Sequence, residues 1–374
     1  MTLQQVITNN FLNIPGWRTN RHIVVIESDD WGSIRMPSKE VYKKLLEYGI
    51  RVDKCHYCSN DSIASEEDLS FLFEILNKYK DINGNPVVIT ANALIANPDF
   101  QRIKESDFHQ YFYKIITEEI PKIKGCEHSL ELWKEGCKNG CFRIQSHGRE
   151  HLNVARWMHY LKENYPETRL AFDLGVYGLS TSITSEKRKS FLPAFDFRNK
   201  QEEQQVNEIA KEGLSIFEEI FGHKSTSFIA PNYSWGKSLE KNIAECGVKY
   251  IQGQQRGKYK NAEGKKSKKR QRYMGRKNEF GQIDLCRNVI FEPAGAPQKD
   301  WVDSCLKDIS IAFRWHHPAI ICSHRVNYVG TINIENRDRN LKSLARLLEQ
   351  IKKNWPDVEF MSSDKLGDII LSKQ

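Results

Sequence analysis

The chain has 374 residues, 39% of them hydrophobic, and a formal net charge of +8 at pH 7. It is long enough for one large α/β domain or two smaller ones, and no apolar run approaches the roughly 20 residues of a membrane span. The N-terminus lacks a basic start followed by an apolar run, so no signal peptide is predicted. Nine scattered cysteines are typical of reduced thiols, so we expect a cytoplasmic protein.

Short apolar segments recur along the chain and alternate with stretches of helical character. Their nearly continuous apolar residues are typical of parallel strands covered on both faces. The predicted strands are residues 22–28, 86–92, 141–146, 227–230, 249–252, 284–291, 319–323 and 358–362.

Two long helices are predicted from apolar residues at helical spacing. One follows Gln204, and the other follows Asn340 and stops before Pro356. Seven or eight strand–helix units favour an α/β fold, an irregular (β/α)7–8 barrel formed by residues 1–374 as a single domain. A doubly wound open sheet is the alternative.

Excess positive charge is concentrated in one segment, residues 256–277. It carries eleven lysines and arginines against one acid, Glu263, so its net charge is +10 and the remainder of the chain carries −2. Almost no aliphatic side chains interrupt these charges. The segment is therefore predicted to be a solvated, mobile insertion.

Ionisable side chains follow two of the predicted strands. Asp29 and Asp30 end the first, and His147 and His151 lie at the end of the third. Parallel strands place such residues at the edge where α/β folds assemble active sites. Asp30, His147 and His151 form an open three-ligand set for a zinc-type ion, with Asp29 as a spare carboxylate.

Five segments in order resemble the motifs of the polysaccharide deacetylase family, the NodB-homology or carbohydrate esterase 4 group. Residues 28–32 resemble its Thr-Phe-Asp-Asp-Gly segment with Trp31 inserted, and residues 147–151 keep both histidines of His-Ser/Thr-x-x-His. Residues 228–233 resemble Arg-x-Pro-Phe/Tyr, but Ile229 replaces the arginine that braces the catalytic aspartate. Asp300-Trp301 matches a fourth motif, and residues 320–324 resemble the Leu-x-His strand end.

The resemblance implies a role for each matching residue. Asp29 would be the base, Asp30 a metal ligand with the two histidines, and His324 the acid that protonates the leaving group. A backbone N–H near Asn232 or Tyr233 would bind the oxyanion. Trp31, Tyr233 and Trp301 are candidates for stacking on a sugar ring.

The sequence therefore predicts a metal-dependent hydrolase that removes acetyl groups from an N- or O-acetylated sugar or polysaccharide. Zn²⁺ is the expected ion, with Co²⁺, Ni²⁺, Mn²⁺ and Fe²⁺ as alternatives. Two other functions stay open: hydrolysis of a non-sugar C–N amide bond on the same fold, and binding of an anionic glycan or nucleic acid by residues 256–277. No specific nucleic acid is expected as a partner, because the segment lies outside any recognisable binding motif.

Overall fold

The computed structural model describes residues 3–260 and 269–373. These residues form fourteen α-helices: α1 (Leu3–Leu12), α2 (Lys39–Glu47), α3 (His56–Asn60), α4 (Glu66–Lys78), α5 (Phe100–Glu105), α6 (Ile116–Glu119), α7 (Ser129–Lys138), α8 (Val154–Lys162), α9 (Pro166–Asp173), α10 (Lys200–Phe221), α11 (Lys237–Glu245), α12 (Trp301–Arg314), α13 (Ile334–Asn354) and α14 (Ser363–Ser372). None of these helices is both long and apolar enough to cross a bilayer.

The same residues form fourteen strands: β1 (Ile23–Trp31), β2 (Ile89–Leu94), β3 (Ala96–Pro98), β4 (Tyr113–Ile115), β5 (Phe142–Gly148), β6 (Ser227–Phe228), β7 (Ser234–Gly236), β8 (Tyr250–Gln254), β9 (Arg256–Lys260), β10 (Lys269–Gln271), β11 (Ile283–Arg287), β12 (Val289–Ile290), β13 (Ala319–His324) and β14 (Glu359–Phe360). All eight predicted segments contain strands, and the segment 284–291 is divided into β11 and β12 by Asn288.

Nine strands form one parallel sheet that curls into a nearly closed barrel. Its order is β11-β8-β6-β5-β2-β1-β13-β12, with β14 also pairing with β1. The edge strands β11 and β12 are separated in the chain only by Asn288. In a flat sheet these edges would lie about 34 Å apart, at about 4.8 Å per strand, so the edges must meet. The predicted irregular (β/α) barrel is confirmed, and an open sheet is excluded.

Helices cover the outside of the barrel through the apolar faces that the sequence predicts. In α13 the buried residues are at helical spacing and include Leu341, Leu344, Leu347, Leu348 and Ile351. In α10 the buried apolar side chains include Val206, Leu214 and Phe217. Burial of such side chains, at about 1.5–3 kcal/mol each, stabilises the helix–sheet layers.

The carboxyl end of β1 is irregular, and this irregularity separates two adjacent aspartates. The register between β1 and β2 shifts between Ser28 and Trp31, and Asp30 has a left-handed backbone with φ 73°. Gly32 then passes so close to β2 that a Cβ there would lie 2.1 Å from the Leu94 carbonyl oxygen. Only glycine fits this approach. Left-handed backbone at a non-glycine residue is costly and is concentrated at functional sites.

The predicted basic insertion is only partly solvated, so its C-terminal limit at residue 277 is wrong. Residues 261–268 lie outside the described residues, and the flanking strands β9 and β10 pair antiparallel. Arg272 is 2% exposed, and its Nη2 lies 2.7 Å from Asp284 Oδ1. Met274 is also buried. Arg272 is therefore committed to an internal ion pair and is not available to bind an external anion.

Candidate active site

A cavity of about 540 Å³ opens at the carboxyl ends of the central strands. Its lining includes Asp29 and Asp30 from β1, His147 from β5 and His324 from β13. His151, in the loop before α8, completes the set of ionisable groups expected from the sequence. The fold thus brings together residues that are up to about 300 positions apart in the chain, because parallel strands end at one edge of the sheet.

Asp30, His147 and His151 converge closely enough to hold a metal ion. Their ligand atoms all lie within 4.8 Å of one another. Asp30 Oδ1 is 3.5 Å from His147 Nε2 and 3.4 Å from His151 Nε2. Zinc bonds of about 2.0–2.1 Å at tetrahedral angles separate neighbouring donor atoms by about 3.3–3.4 Å. Both distances from Asp30 match this spacing, so the three donors suit a tetrahedral divalent ion with a coordination position left for water or substrate.

The hydrogen bond of His147 and the lowered pKa of His151 both suit metal binding. His147 Nδ1 lies 2.9 Å from the Ile229 carbonyl oxygen, which only accepts, so Nδ1 carries the proton and Nε2 presents its lone pair. Burial lowers the pKa of His151 to about 4, despite an opposing effect of Asp30. His151 is therefore neutral at neutral pH, which is the form that binds metals.

A second group of potential ligands, Glu292, Cys322 and His324, lies beside the first. It suits a cation less well. The Arg287 guanidinium approaches Cys322 Sγ at 3.3 Å, and His324 Nδ1 is already bound to Glu292 Oε1 at 2.5 Å. The positive charge of Arg287 beside the Cys322 thiol opposes the binding of a cation there, so the first group is the better candidate.

Asp29 is held as a carboxylate by a pair of hydrogen bonds from Arg287. Nη2 donates to Oδ1 at 2.6 Å and Nη1 to Oδ2 at 2.8 Å, while Asn92 Nδ2 donates to Oδ1 at 2.8 Å. Burial acts to raise the pKa of Asp29, but Arg287 outweighs it and holds that pKa below its usual range. Asp29 is therefore ionised and fixed in orientation.

Arg287 is the functional residue that the sequence analysis missed. Ile229, where the motif that residues 228–233 resemble has arginine, is fully buried, and Arg287 at the end of β11 supplies a guanidinium instead. Its Nε also donates to Glu27 Oε2 at 2.6 Å. Glu27 is 0% exposed, so it is not a candidate base. A lone arginine ending the apolar strand Ile283–Arg287 was the available signal, since buried arginines are rare without a partner.

His324 is prepared to donate a proton. Its Nε2 lies 3.7 Å from Asp29 Oδ2, on the opposite side of the ring from Glu292. Burial lowers the pKa of His324, but Glu292 overcomes this effect and raises it well above its usual value. Asn327 Nδ2 in turn holds Glu292 Oε2 at 2.9 Å. The imidazole is therefore protonated at neutral pH, the state that a general acid needs.

Asn232 and Tyr233 line the same cavity, each with a left-handed backbone (φ 54° and 51°). The Tyr233 N–H already donates to the Ala230 carbonyl at 3.0 Å. Of the two predicted oxyanion groups, Asn232 N–H is thus the better candidate. The Tyr233 hydroxyl accepts from Arg287 Nη1 at 2.9 Å, which ties this loop to the bracing of Asp29.

Trp31 and Trp301 were expected to stack on a sugar ring, and both assignments are wrong. Trp31 is 0% exposed and packs edge-on against Phe142, with ring centroids 5.0 Å apart. The β1 irregularity turns it into the core. Trp301 begins α12, donates to the Ala296 carbonyl at 2.9 Å and packs against the main core, outside the lining of the cavity. Its neighbour Asp300 caps α12, so the Asp-Trp match reflects a helix start.

Comparison with protein-family models and with curated protein sequences gives no match. Solved structures of similar fold include a candidate polysaccharide deacetylase from Mycobacterium smegmatis, at 11% identity and TM-score 0.45, over 96% of this chain and 93% of that one. They also include another such candidate from Pseudomonas aeruginosa PAO1, at 12% identity, TM-score 0.45 and coverages of 93% and 91%. The Puue allantoinase aligns at 12% identity, TM-score 0.44 and coverages of 94% and 91%.

Proposed function

We propose that the chain is a metal-dependent hydrolase that removes acetyl groups from an N- or O-acetylated sugar. One observation carries the proposal: Asp30 Oδ1 lies at tetrahedral donor spacing from the Nε2 atoms of His147 and His151, beside an ionised Asp29 and a protonated His324. A bound ion would act as a Lewis acid and lower the pKa of its water to about 7. The expected ion is Zn²⁺, and the resemblance to polysaccharide deacetylases favours a carbohydrate substrate.

The protein side chains would divide the proton transfers between them. Asp29, oriented by Arg287 and Asn92, would accept a proton from the attacking water. Asn232 N–H would donate to the oxyanion that develops on the acetyl group. His324, charged through Glu292, would give its proton to the departing amine or alcohol. Each group faces the same cavity, so the roles are compatible with one bound substrate.

Acetate release tests this proposal directly. We expect the zinc-loaded protein to release acetate from N-acetylated or O-acetylated saccharides, and a chelator to abolish release until zinc is restored. A panel of small non-sugar amides serves as the comparison, because the same groups could hydrolyse another C–N bond. If the protein hydrolyses the amides but releases acetate from no sugar, the proposed function is wrong and the protein is an amide hydrolase.

The alkaline limb of the pH–rate profile should depend on Glu292. Since Glu292 raises the pKa of His324, the acid form persists to higher pH in the wild type. Glu292→Gln removes this effect, so activity on an N-acetyl sugar should fall at lower pH than in the wild type. Profiles of kcat should be measured with this substrate and with an activated phenyl acetate, which needs no leaving-group proton. If the alkaline limb of the Glu292→Gln profile does not move, or moves to higher pH, the proposed role of His324 is contradicted. Glu245→Gln, which changes an exposed glutamate, is the control.

A further inference from the structure

Arg35 is a buried cation in the wall of the active-site cavity. It follows β1 in the chain, is 6% exposed and belongs to the cavity lining together with Asp30. Its Nε has no hydrogen-bond partner in the described part of the chain. Burying a charge without a partner is costly, so such a group is retained where it has a function.

The surroundings of Arg35 hold its side chain in place. Its guanidinium lies over the Tyr57 ring at 5.3 Å, and Tyr57 in turn packs edge-on against His324. A Cβ on Gly178 would come within 3.2 Å of Arg35 Nε, so the Gly178 backbone packs closely against the Arg35 side chain. The loop itself is fixed by Asn97, whose Oδ1 accepts from Ile34 N at 2.8 Å. Arg35 is therefore pre-organised beside the reacting groups.

Burial acts to lower the pKa of Arg35, but the neighbouring groups outweigh it and raise that pKa, so the guanidinium stays charged. Those acting on Arg35 are, in order, Cys58, Cys55, Asp30 and Tyr177. A hydrogen bond with Cys55 raises the pKa of Cys58 well above its usual value, and burial raises the pKa of Tyr177 to about 12, so both are neutral. Asp30 is committed to the candidate metal site.

Cys55 supplies one thiolate, because a hydrogen bond with Cys58 lowers its pKa to about 5. Lys54, an exposed residue of the same lining, adds a second cation. The hydroxyl residues Ser180 and Ser182 lie in the lining as well. Apart from the carboxylates Asp29 and Asp30 of the candidate metal site, the lining thus has two cations and hydroxyl donors against one thiolate, which suits an anionic oxygen group.

We propose that Arg35 binds an anionic group of the substrate, a carboxylate or a phosphate ester carried by the acetylated sugar. The inference rests on the proposed function, since it places the anion on that substrate. Arginine is suited to this role because its planar donors match carboxylate and phosphate oxygens in pairs. Arg35 would therefore select charged sugars over neutral ones.

Calorimetric titration of the zinc-loaded Asp29→Asn variant tests this without turnover. The ligands are N-acetylglucosamine, its 6-phosphate, and N-acetylmuramic acid, which carries a carboxylate. At least one anionic ligand should bind about 10- to 100-fold more tightly than the neutral sugar, and adding Arg35→Met should remove that preference. The phosphate and carboxylate arms identify which anion is recognised. Arg51→Met, which removes an exposed arginine outside the cavity lining, is the control and should leave the preference unchanged.

The melting temperature separates a binding role from a structural one. Arg35→Met should melt close to the parent temperature, because the Nε of Arg35 has no hydrogen-bond partner to leave behind in the described part of the chain. The inference is overturned if none of the three ligands binds, if they bind equally, or if Arg35→Met keeps the preference at any melting temperature. Equal acetate release from neutral and anionic sugars would overturn the inference and leave the deacetylase intact. If Arg35→Met loses the anion preference but no sugar releases acetate, the role of Arg35 in anion binding stands and the proposed deacetylase activity fails.

Discussion

Asp29→Asn should abolish most turnover while leaving the metal in place. Asp29 is adjacent to the ligand Asp30, but its two oxygens are engaged by Arg287 and Asn92 and it is not among the converging ligand atoms. An amide cannot accept the proton of the attacking water. A positioned general base is worth about 10²–10⁴-fold, so acetate release should fall by that factor. Kinetics and metal content should be measured on the same preparation.

Asp30→Asn provides the matched control at the neighbouring position. It should lose both metal and activity, because its Oδ1 is the shared neighbour of both imidazoles. Glu27 is fully buried and cannot replace Asp29 as the base. Full acetate release by the Asp29→Asn variant would therefore refute the proposed mechanism.

Arg287→Met should strongly destabilise the fold at neutral pH. Arg287 is the cation paired with both Glu27 and Asp29, and the three side chains are at most 5% exposed. Removing one partner of a buried ion pair costs about 3–5 kcal/mol, because the remaining charge is left in the interior. Arg21→Met is a suitable control: Arg21 also pairs with a carboxylate, that of Glu359, but its side chain is 39% exposed. That surface pair should be worth at most about 1 kcal/mol.

The loss of stability in Arg287→Met should depend on pH in a predictable direction. In the wild type the pKa of Asp29 is lowered by Arg287, so this stabilisation is present above the unfolded pKa and disappears as the pH falls. Without Arg287, burial favours the protonated carboxyl groups, and the difference from the wild type should shrink at acidic pH. Adding Glu27→Gln should recover part of the loss at neutral pH. Denaturant unfolding at several pH values measures both effects, and a deficit independent of pH would contradict the assignment.

Features that depend on local patterns were predictable from the sequence. The apolar runs before Asp29, His147 and His324 identify the strands, and parallel strands necessarily end at one edge. The helical spacing of the leucines in residues 341–348 identifies α13, because a helix that covers the sheet must have one apolar face. The convergence of Asp30 with the two histidines follows once the sheet is known to be parallel.

Features that depend on barrel closure or on local irregularity were not predictable. Arg287 lies on β11 and Asp29 on β1, and these strands are far apart both in the chain and in the order of the sheet. Arg287 reaches Asp29 only because the sheet curls and brings β11 near β13, which pairs with β1. Trp31 is turned into the core by a left-handed Asp30, which no strand periodicity reveals. Arg272 has a basic neighbourhood in sequence, but its partner Asp284 is visible only in the structure.

Metal content per chain tests the central claim most directly. The zinc-loaded wild type should retain about one ion per chain after dialysis, by elemental analysis. His147→Ala should lose it, since His147 Nε2 lies at tetrahedral donor spacing from Asp30 Oδ1. His324→Ala is the decisive control, because His324 belongs to the second group of potential ligands with Glu292 and Cys322. Retention by His324→Ala and loss by His147→Ala is the predicted result. Retention by His147→Ala, or an ion lost only from His324→Ala, would contradict the assignment.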